Sequence, residues 1–433
     1  MKKSILFFAA AFACVQLFAA GSLYPKNPKN NSLYGTAYAG YQGWFRAEGD
    51  SFVKRGGDWD AWGKHKHSSP VDGYAAFDIW PSMGEYEVKY PTRFTNPDGT
   101  VAEVYSALDY STVDLHFKWM RDYHTGGAIV QRYYISIGRK DKDTVVDHCF
   151  KAAKKYGVGA YFMYDLTGMP QGKVADRLIG DWKSMANSYM ADKDTPYLFH
   201  NGKPVVIIWG LGFNDRHFAF ETTDIERFLD FLKNDEKYGN CYIIFGVPTF
   251  FKELKHDCHN KPLLHEMMKK YASAVSPWNV GRYVRSKKDP DMLSIRYSGI
   301  NLNYEQKTLE DIEWCEDNNL DYLPVIHPGF SWHNTRLVGK YRGVFNEIPR
   351  EKGKFIWDMA SLSVKAGAKA LFVAMFDEVN ESTAIYKCTN TPPKPEKCKF
   401  LDMEGLPDDY YLKLVGNMPK MIKAQKPLPQ PKP

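Results

Sequence analysis

The sequence predicts an α/β protein, a single-domain (β/α)8 TIM barrel with a long loop insertion after its first strand. Three observations carry this. Eight short apolar or β-branched runs are each followed by polar or Gly/Pro punctuation. Amphipathic helical patterns lie between most of them, and alternating strand and helix implies a parallel sheet with right-handed crossovers. No GxGxxG or GxxxxGK[ST] motif follows any run, and Gly210-Leu-Gly212 is too little to support a doubly wound nucleotide fold. The 433 residues suit one barrel with insertions.

The predicted strands, in order, are 37–44, 127–132, 159–165, 204–209, 241–247, 272–276, 322–327 and 370–376. Each is rich in residues that suit a pleated surface buried on both sides. Predicted helices cover 112–123, 144–156, 174–189, 223–234, 263–271, 309–318 and 354–366, where apolar residues recur at helical spacing. Thr112 and Asp114 supply capping chemistry at one start, and Gly157 and Gly367 close two ends. Residues 46–111 form the insertion. It carries Trp59, Trp62 and Trp80, with Trp59 and Trp62 expected to pack, and His65 and His67, expected to be exposed.

The first 20 residues read as a signal peptide. Lys2 and Lys3 precede an apolar stretch from Ile5 to Phe18, and small residues follow. That stretch is too short to span a bilayer well, and no other segment looks transmembrane. Ala-Phe-Ala before Cys14 is a poor lipoprotein signal. The expectation is a secreted or periplasmic chain: 1–20 signal peptide, 21–417 barrel, 418–433 an extended or disordered Pro/Lys-rich tail. Six cysteines remain after export. Cys388 with Cys398 is the best disulfide pair and Cys241 with Cys258 the second, whereas Cys149 and Cys315 fall in helical patterns and read as buried thiols.

The formal charge of +6 is spread along the chain without a basic block, which argues against nucleic acid as a partner. His256-Asp-Cys258-His259 lacks a second ligand group at finger-like spacing, so no metal or other cofactor is expected. The chain holds 28 Tyr, 11 Trp and 26 Phe, most of them for packing. The remainder suit sugar, because amphipathic rings stack on pyranose faces and still hydrogen-bond at their edges.

In such barrels the active site lies at the C-terminal ends of the strands. That rim holds Tyr41, Gln42 and Trp44; Gln131, Arg132 and Tyr133; Tyr164 and Asp165; Trp209; Trp278; His327 and Trp332; then Asp377, Glu378 and Glu381. Splitting a glycosidic bond needs two carboxyl groups, one to protonate the leaving oxygen and one to act as base or nucleophile. Glu378 and Glu381 supply both, and on a helical turn an i,i+3 pair has Cβ atoms roughly 5–6 Å apart. Taken alone, such a pair is more often two solvated side chains. Its place after the eighth strand is what makes it a catalytic candidate. Tyr41, Gln131, Arg132, Tyr164, Trp209, Trp278 and His327 are candidate substrate contacts. Arg132 reads equally well as a core ion-pair partner, and His327 as a structural histidine.

Phe376-Asp-Glu-Val-Asn-Glu-Ser-Thr383 resembles the strand-eight signature of the glycoside hydrolase family 71/99-like group, whose family 99 endo-α-mannosidases carry Asn-Glu-Trp-His-Glu-Gly-Thr. Ala39–Phe45, His327–His333 and Tyr410–Gly416 are also similar to that group, so the resemblance spans about 37–416. It implies a metal-independent barrel acting on α-linked glycans. In family 99 the first Glu acts as base on the sugar's own 2-hydroxyl and the second is the acid; on this chain those roles fall to Glu378 and Glu381. Val379 and Asn380 stand in place of Trp and His, and Asp377 in place of Asn, so mannose specificity is not implied. The resulting expectation is a secreted glycoside hydrolase with a carbohydrate partner. The alternative is a non-catalytic glycan-binding barrel at the cell surface.

Overall fold

A computed structural model describes residues 21–52, 59–63, 69–215, 222–297, 299–337, 343–394 and 397–433. The expected signal peptide with Cys14, and His65 and His67, lie outside the described residues. The barrel strands are β1 (Ala37–Tyr41), β2 (Gly127–Tyr133), β3 (Gly159–Asp165), β4 (Lys203–Trp209), β5 (Tyr242–Val247), β6 (Ala274–Pro277), β7 and β8 (Leu371–Val373). Strand β7 comes in two pieces, Asp321–Tyr322 and Val325–Ile326. The first pairs with β6 and the second with β8, both in parallel. Leu323 N–H donates to Val275 O at 2.8 Å and Phe372 N–H to Pro324 O at 3.0 Å, which carries the ladder across the break. With β8 pairing β1 from Ala37↔Leu371 to Ala39↔Val373, the ring closes. Closure leaves the barrel sheet without an open edge among the described residues.

Helices α1 (Tyr110–Asp122), α2 (Lys140–Tyr156), α3 (Ala175–Tyr189), α4 (Ile225–Asn234), α5 (Leu263–Tyr271), α6 (Tyr304–Asp317), the short α7 (His333–Leu337), α8 (Lys354–Lys365) and α9 (Tyr410–Ala424) ring the sheet. Their apolar stripes face the strands: Leu178 and Trp182 of α3 are fully buried, as are Phe228, Leu229 and Leu232 of α4. Each such side chain contributes roughly 1.5–3 kcal/mol by leaving water. All eight strands occur where the sequence places them. Helix α1 begins two residues earlier than predicted, so Thr112 is buried inside the first turn rather than capping it; the N-cap is Asp109. Gly157 closes α2 in the left-handed conformation at φ 69°.

The insertion after β1 holds an antiparallel hairpin, Tyr90–Thr95 with Val101–Val104. A buried carboxylate of the insertion helps hold it to the barrel mouth. Asp78 accepts hydrogen bonds from the Ser331 hydroxyl and from the backbone N–H groups of His333 and Asn334, while its own N–H donates to Val379 O. The loops after β7 and β8 are thereby tied to one point. Trp62 and Trp80 are buried, so both pack; Trp59 is half-buried and its indole donates to Glu48.

Two expectations are corrected. All six described cysteines are free and buried: Cys398 Sγ accepts from Ala75 N–H, and neither Cys388–Cys398 nor Cys241–Cys258 is bridged. Residues 418–424 belong to α9, where Met418, Met421 and Ile422 are buried. The segment beyond is tied down as well, since Trp357 Nε1 donates to Leu428 O and Tyr410 Oη to Pro431 O. Apolar residues at helical spacing inside a Lys/Pro-rich stretch outweigh its composition. Among the described residues no helix is long and apolar enough to cross a membrane, and no group of His, Cys, Asp and Glu is arranged to hold a metal ion.

Candidate active site

Strand register sets the rim. Tyr133 pairs with Asp165, Asp165 with Trp209, and Trp209 with Gly246, so these residues form one level at the C-terminal end of the barrel. Gly246 is required there, because a Cβ at that position would lie 2.6 Å from Trp209 Cδ1. Side chains alternate along a strand. On β2, Gln131 points inward, where its Nε2 donates to Asp165 Oδ2 at 2.6 Å, and Arg132 points outward.

The 376–383 motif is a turn rather than a helix. Thr383 and Ala384 N–H both donate to Glu378 O, and Ser382 takes a positive φ of 56°. Arg350, buried beneath it, donates to Ser382 O and Ala384 O at 2.9 and 2.6 Å and lies over the Tyr411 ring. Asn380 Nδ2 donates to Ala61 O and Ala76 O in the insertion. Glu378 is 3% exposed, and its Oε1 accepts the N–H groups of Asn380 and Glu381 at 2.6 and 3.2 Å. Burial, then the charges of Glu381 and Asp377, hold the Glu378 carboxyl well above the usual carboxylate range; hydrogen bonds from the Gln42 side chain and Asn380 oppose this. Asp377 accepts the N–H groups of Gln42 and Gly43 at 2.9 and 2.8 Å, and burial pushes it up to about 6. Tyr133, at the same mouth, is held protonated by burial and by Asp165, Glu378, Glu381 and Asp377.

Glu381 lines a cleft of about 530 Å3 together with Trp209, Trp278, Trp332, Phe330 and Tyr297. Trp209 and Trp278 meet edge to face at 5.4 Å, and Phe330 contacts Trp332 at 5.3 Å. The charged groups of that wall pair off at its edge, Arg282 with Asp257 and Arg296 with Glu347. A second cavity of about 280 Å3 lies beside Gln42, Gln131 and Tyr133.

Of the residues singled out from sequence, the structure brings Glu378, Glu381, Gln131, Trp209 and Trp278 to the mouth. The other four find their polar partners elsewhere, although Tyr41 and Arg132 also line the smaller cavity. Tyr41 is buried with its hydroxyl on His116 Nδ1 of α1 at 2.9 Å. Arg132 pairs with Asp181 of α3 and with Asp143 of α2 at 2.9 Å. Tyr164 donates to that same Asp181 at 2.7 Å. His327 is fully buried against Phe355 of α8, its Nδ1 bonded to Gly329 O, and burial lowers it to about 4, so it is neutral. The polar ends of these four lie between sheet and helices. Gln42, Trp44, Tyr133 and Trp332, on the rim but not among the candidates, face the mouth or its cavities. Period-two alternation from Gln131 to Tyr133 is the signal that finds the third of them.

Fold and mouth together define a closed (β/α)8-barrel protein with paired carboxylates beside an aromatic cleft. In fold it is similar to the GH99 endo-α-mannosidase from Bacteroides thetaiotaomicron in complex with BIS-TRIS-propane, at TM-score 0.60 and 15% identity over 91% of this chain and 98% of that one. A second structure of the GH99 endo-α-mannosidase from Bacteroides thetaiotaomicron gives 0.59 and 16%, over 91% and 99%. This agrees with the resemblance read from Phe376–Thr383. No protein-family model matches the chain, and no curated protein sequence does.

Proposed function

We propose that the chain is an exported glycoside hydrolase that cleaves an α-linked polysaccharide or oligosaccharide. The observation that carries this is the Glu378–Glu381 pair beside the aromatic cleft, with Glu378 held above the ordinary carboxylate range by burial and by its neighbour. Glycoside cleavage by acid and base requires one proton on such a pair. A carboxyl group that keeps its proton beside a second carboxyl group provides it.

By the family-99 resemblance Glu381, on the cleft wall, protonates the leaving oxygen. Glu378 is the base toward the attacking oxygen, the sugar's own 2-hydroxyl in the family-99 manner or a water; burial and its neighbours hold it protonated in the free protein, so it must release that proton before it can act. The tryptophans hold pyranose faces, and the fold likeness to the GH99 endo-α-mannosidase supports this use of the mouth. Export rests on residues 1–20.

The test is a screen of the mature chain against α-glucans, α-mannans and plant polysaccharides, with product detection, followed by Glu378→Gln and Glu381→Gln on any glycan that is cleaved. Each variant is expected to lose on the order of 10²–10⁴ in kcat/KM. Unchanged kcat/KM in both removes the assignment. Glycan affinity without released reducing ends favours the capture-barrel reading.

A further inference from the structure

We infer that the smaller cavity, beside Glu378, is a subsite for an acetamido sugar, one carrying an N-acetyl group. This rests on reading the mouth as a glycan site. The cavity, about 280 Å3, has room for several water-sized groups of ~30 Å3 each. It shares the Gln42 wall with Glu378.

Its chemistry is unusual for a site meant for hydroxyl groups alone. One wall is aliphatic: Val130, Val145, Val146 and Ile135. Across from it, the Trp44 ring stacks on Tyr133 at 5.5 Å and 11°. Two amides line the cavity, Gln42 and Gln131, and a carboxylate fixes the second: Gln131 gives its Nε2 to Asp165. Their carbonyl oxygens are left over. Among the described residues, Gln42 Oε1, Gln131 Oε1 and Trp44 Nε1 are buried without a hydrogen-bond partner. The unpartnered atoms in the cavity are therefore two acceptors and one donor beside an apolar wall; Asp60, Ser136, Thr167 and three paired cations also line it.

An acetamido group matches that set. Its N–H suits a glutamine oxygen, its carbonyl suits the Trp44 N–H, and its methyl suits the valines. A hydroxyl satisfies the polar atoms but wastes the aliphatic wall. A 6-deoxy methyl fills the wall but leaves the polar atoms unpaired, which is costly in a buried site. Among the described residues an acidic sugar finds no unpaired cation here. Arg132 is paired with Asp143 and Asp181, Arg139 with Asp141, and Lys142 with Asp60. Few polar groups set in an apolar wall are the usual make-up of a specific small-ligand pocket.

The test is calorimetric, on the mature chain, with N-acetylglucosamine and N-acetylgalactosamine against glucose, galactose and a 6-deoxy sugar. The acetamido sugars are expected to bind at least about tenfold tighter. Trp44→Phe, which keeps the ring and removes the N–H, and Val145→Thr, which places a hydroxyl in the methyl site, are each expected to erase most of that preference. Thermal melts confirm that both variants fold. Equal affinities, a 6-deoxy preference, or an acetamido preference that neither variant reduces overturns the subsite. The two readings fail separately. Acetamido preference without hydrolysis of any glycan leaves the subsite standing and sinks the hydrolase. Hydrolysis with no acetamido preference does the reverse.

Discussion

The Asp377 carboxylate, just past β8, bonds to the backbone N–H groups of Gln42 and Gly43, just past β1, at 2.9 and 2.8 Å. This bridge fastens the seam where the first and last strands meet, and it sets the Gln42 side chain against Glu378. Burial lifts Asp377 to about 6 from 3.8. A raised carboxyl group holds its proton more tightly in the folded chain than in the unfolded one, so its contribution to stability falls as pH climbs from about 4 through about 6. The size is on the order of a few kcal/mol, since each tenfold change in proton affinity is worth roughly 1.4 kcal/mol. Denaturant midpoints for Asp377→Asn are expected to vary less over that window than those of the unaltered chain. Equal slopes would show that Asp377 is not raised.

The coupling between Glu378 and Glu381 has its own signature. Removing the neighbouring charge with Glu381→Gln takes away one cause of the raised Glu378 carboxyl. Its proton is then expected to leave at lower pH, as read by carboxyl-carbon resonance titration. An unmoved midpoint would mean that the two groups do not interact.

Arg132 tests the distinction between site and scaffold. It is buried, with Asp181 and Asp143 as its partners. Arg132→Met strands the buried Asp181 and is expected to cost about 3–5 kcal/mol of stability. At a temperature where the variant is folded, kcat/KM is expected to stay within about threefold of the parent, since the guanidinium is held by Asp143 and Asp181 and Arg132 does not line the cleft that holds Glu381. A large kinetic loss in a stable variant would return Arg132 to the substrate contacts.

Trp278 and Trp332 are half-buried rings on the wall of the larger cleft. Replacing either with Ala is expected to raise KM about three- to tenfold with a smaller effect on kcat, consistent with about 0.5–1.5 kcal/mol for an aromatic contact. A loss confined to kcat would place the ring in the chemistry rather than in binding.

The cysteines offer a direct chemical check. The mature chain, unfolded without reductant, is expected to react with six equivalents of a thiol reagent. Its melting temperature is expected to be the same with and without reductant. Four or fewer reactive thiols would indicate a bridge.

Much of the barrel was legible because strand and helix differ in period and because glycine and proline mark the ends. Glu378 and Glu381 were legible for a related reason: carboxylates straight after a buried run are out of place unless the strand ends at a mouth. The polar ends of Tyr41, Arg132, Tyr164 and His327 turn to the helices, one residue out of phase with the mouth, although Tyr41 and Arg132 still line the smaller cavity. A parallel barrel strand is buried on both faces, so apolar residues fill inward and outward positions alike and hydrophobicity does not tell one face from the other. Only the register, with Tyr133 opposite Asp165 and Asp165 opposite Trp209, assigned the faces.

The sequence alone thus determined the order of elements, the closed ring and the acidic turn at its last strand, because each follows from local periodicity and chain chemistry. The tertiary structure decided which side chains share the mouth and that Asp78 and Asp377 clamp its loops. It also decided that the thiols stay apart and the last helix runs on past 417. Those outcomes depend on contacts between residues tens to hundreds of positions apart, where burial and hydrogen-bond partners, rather than neighbours in the chain, set the free energy.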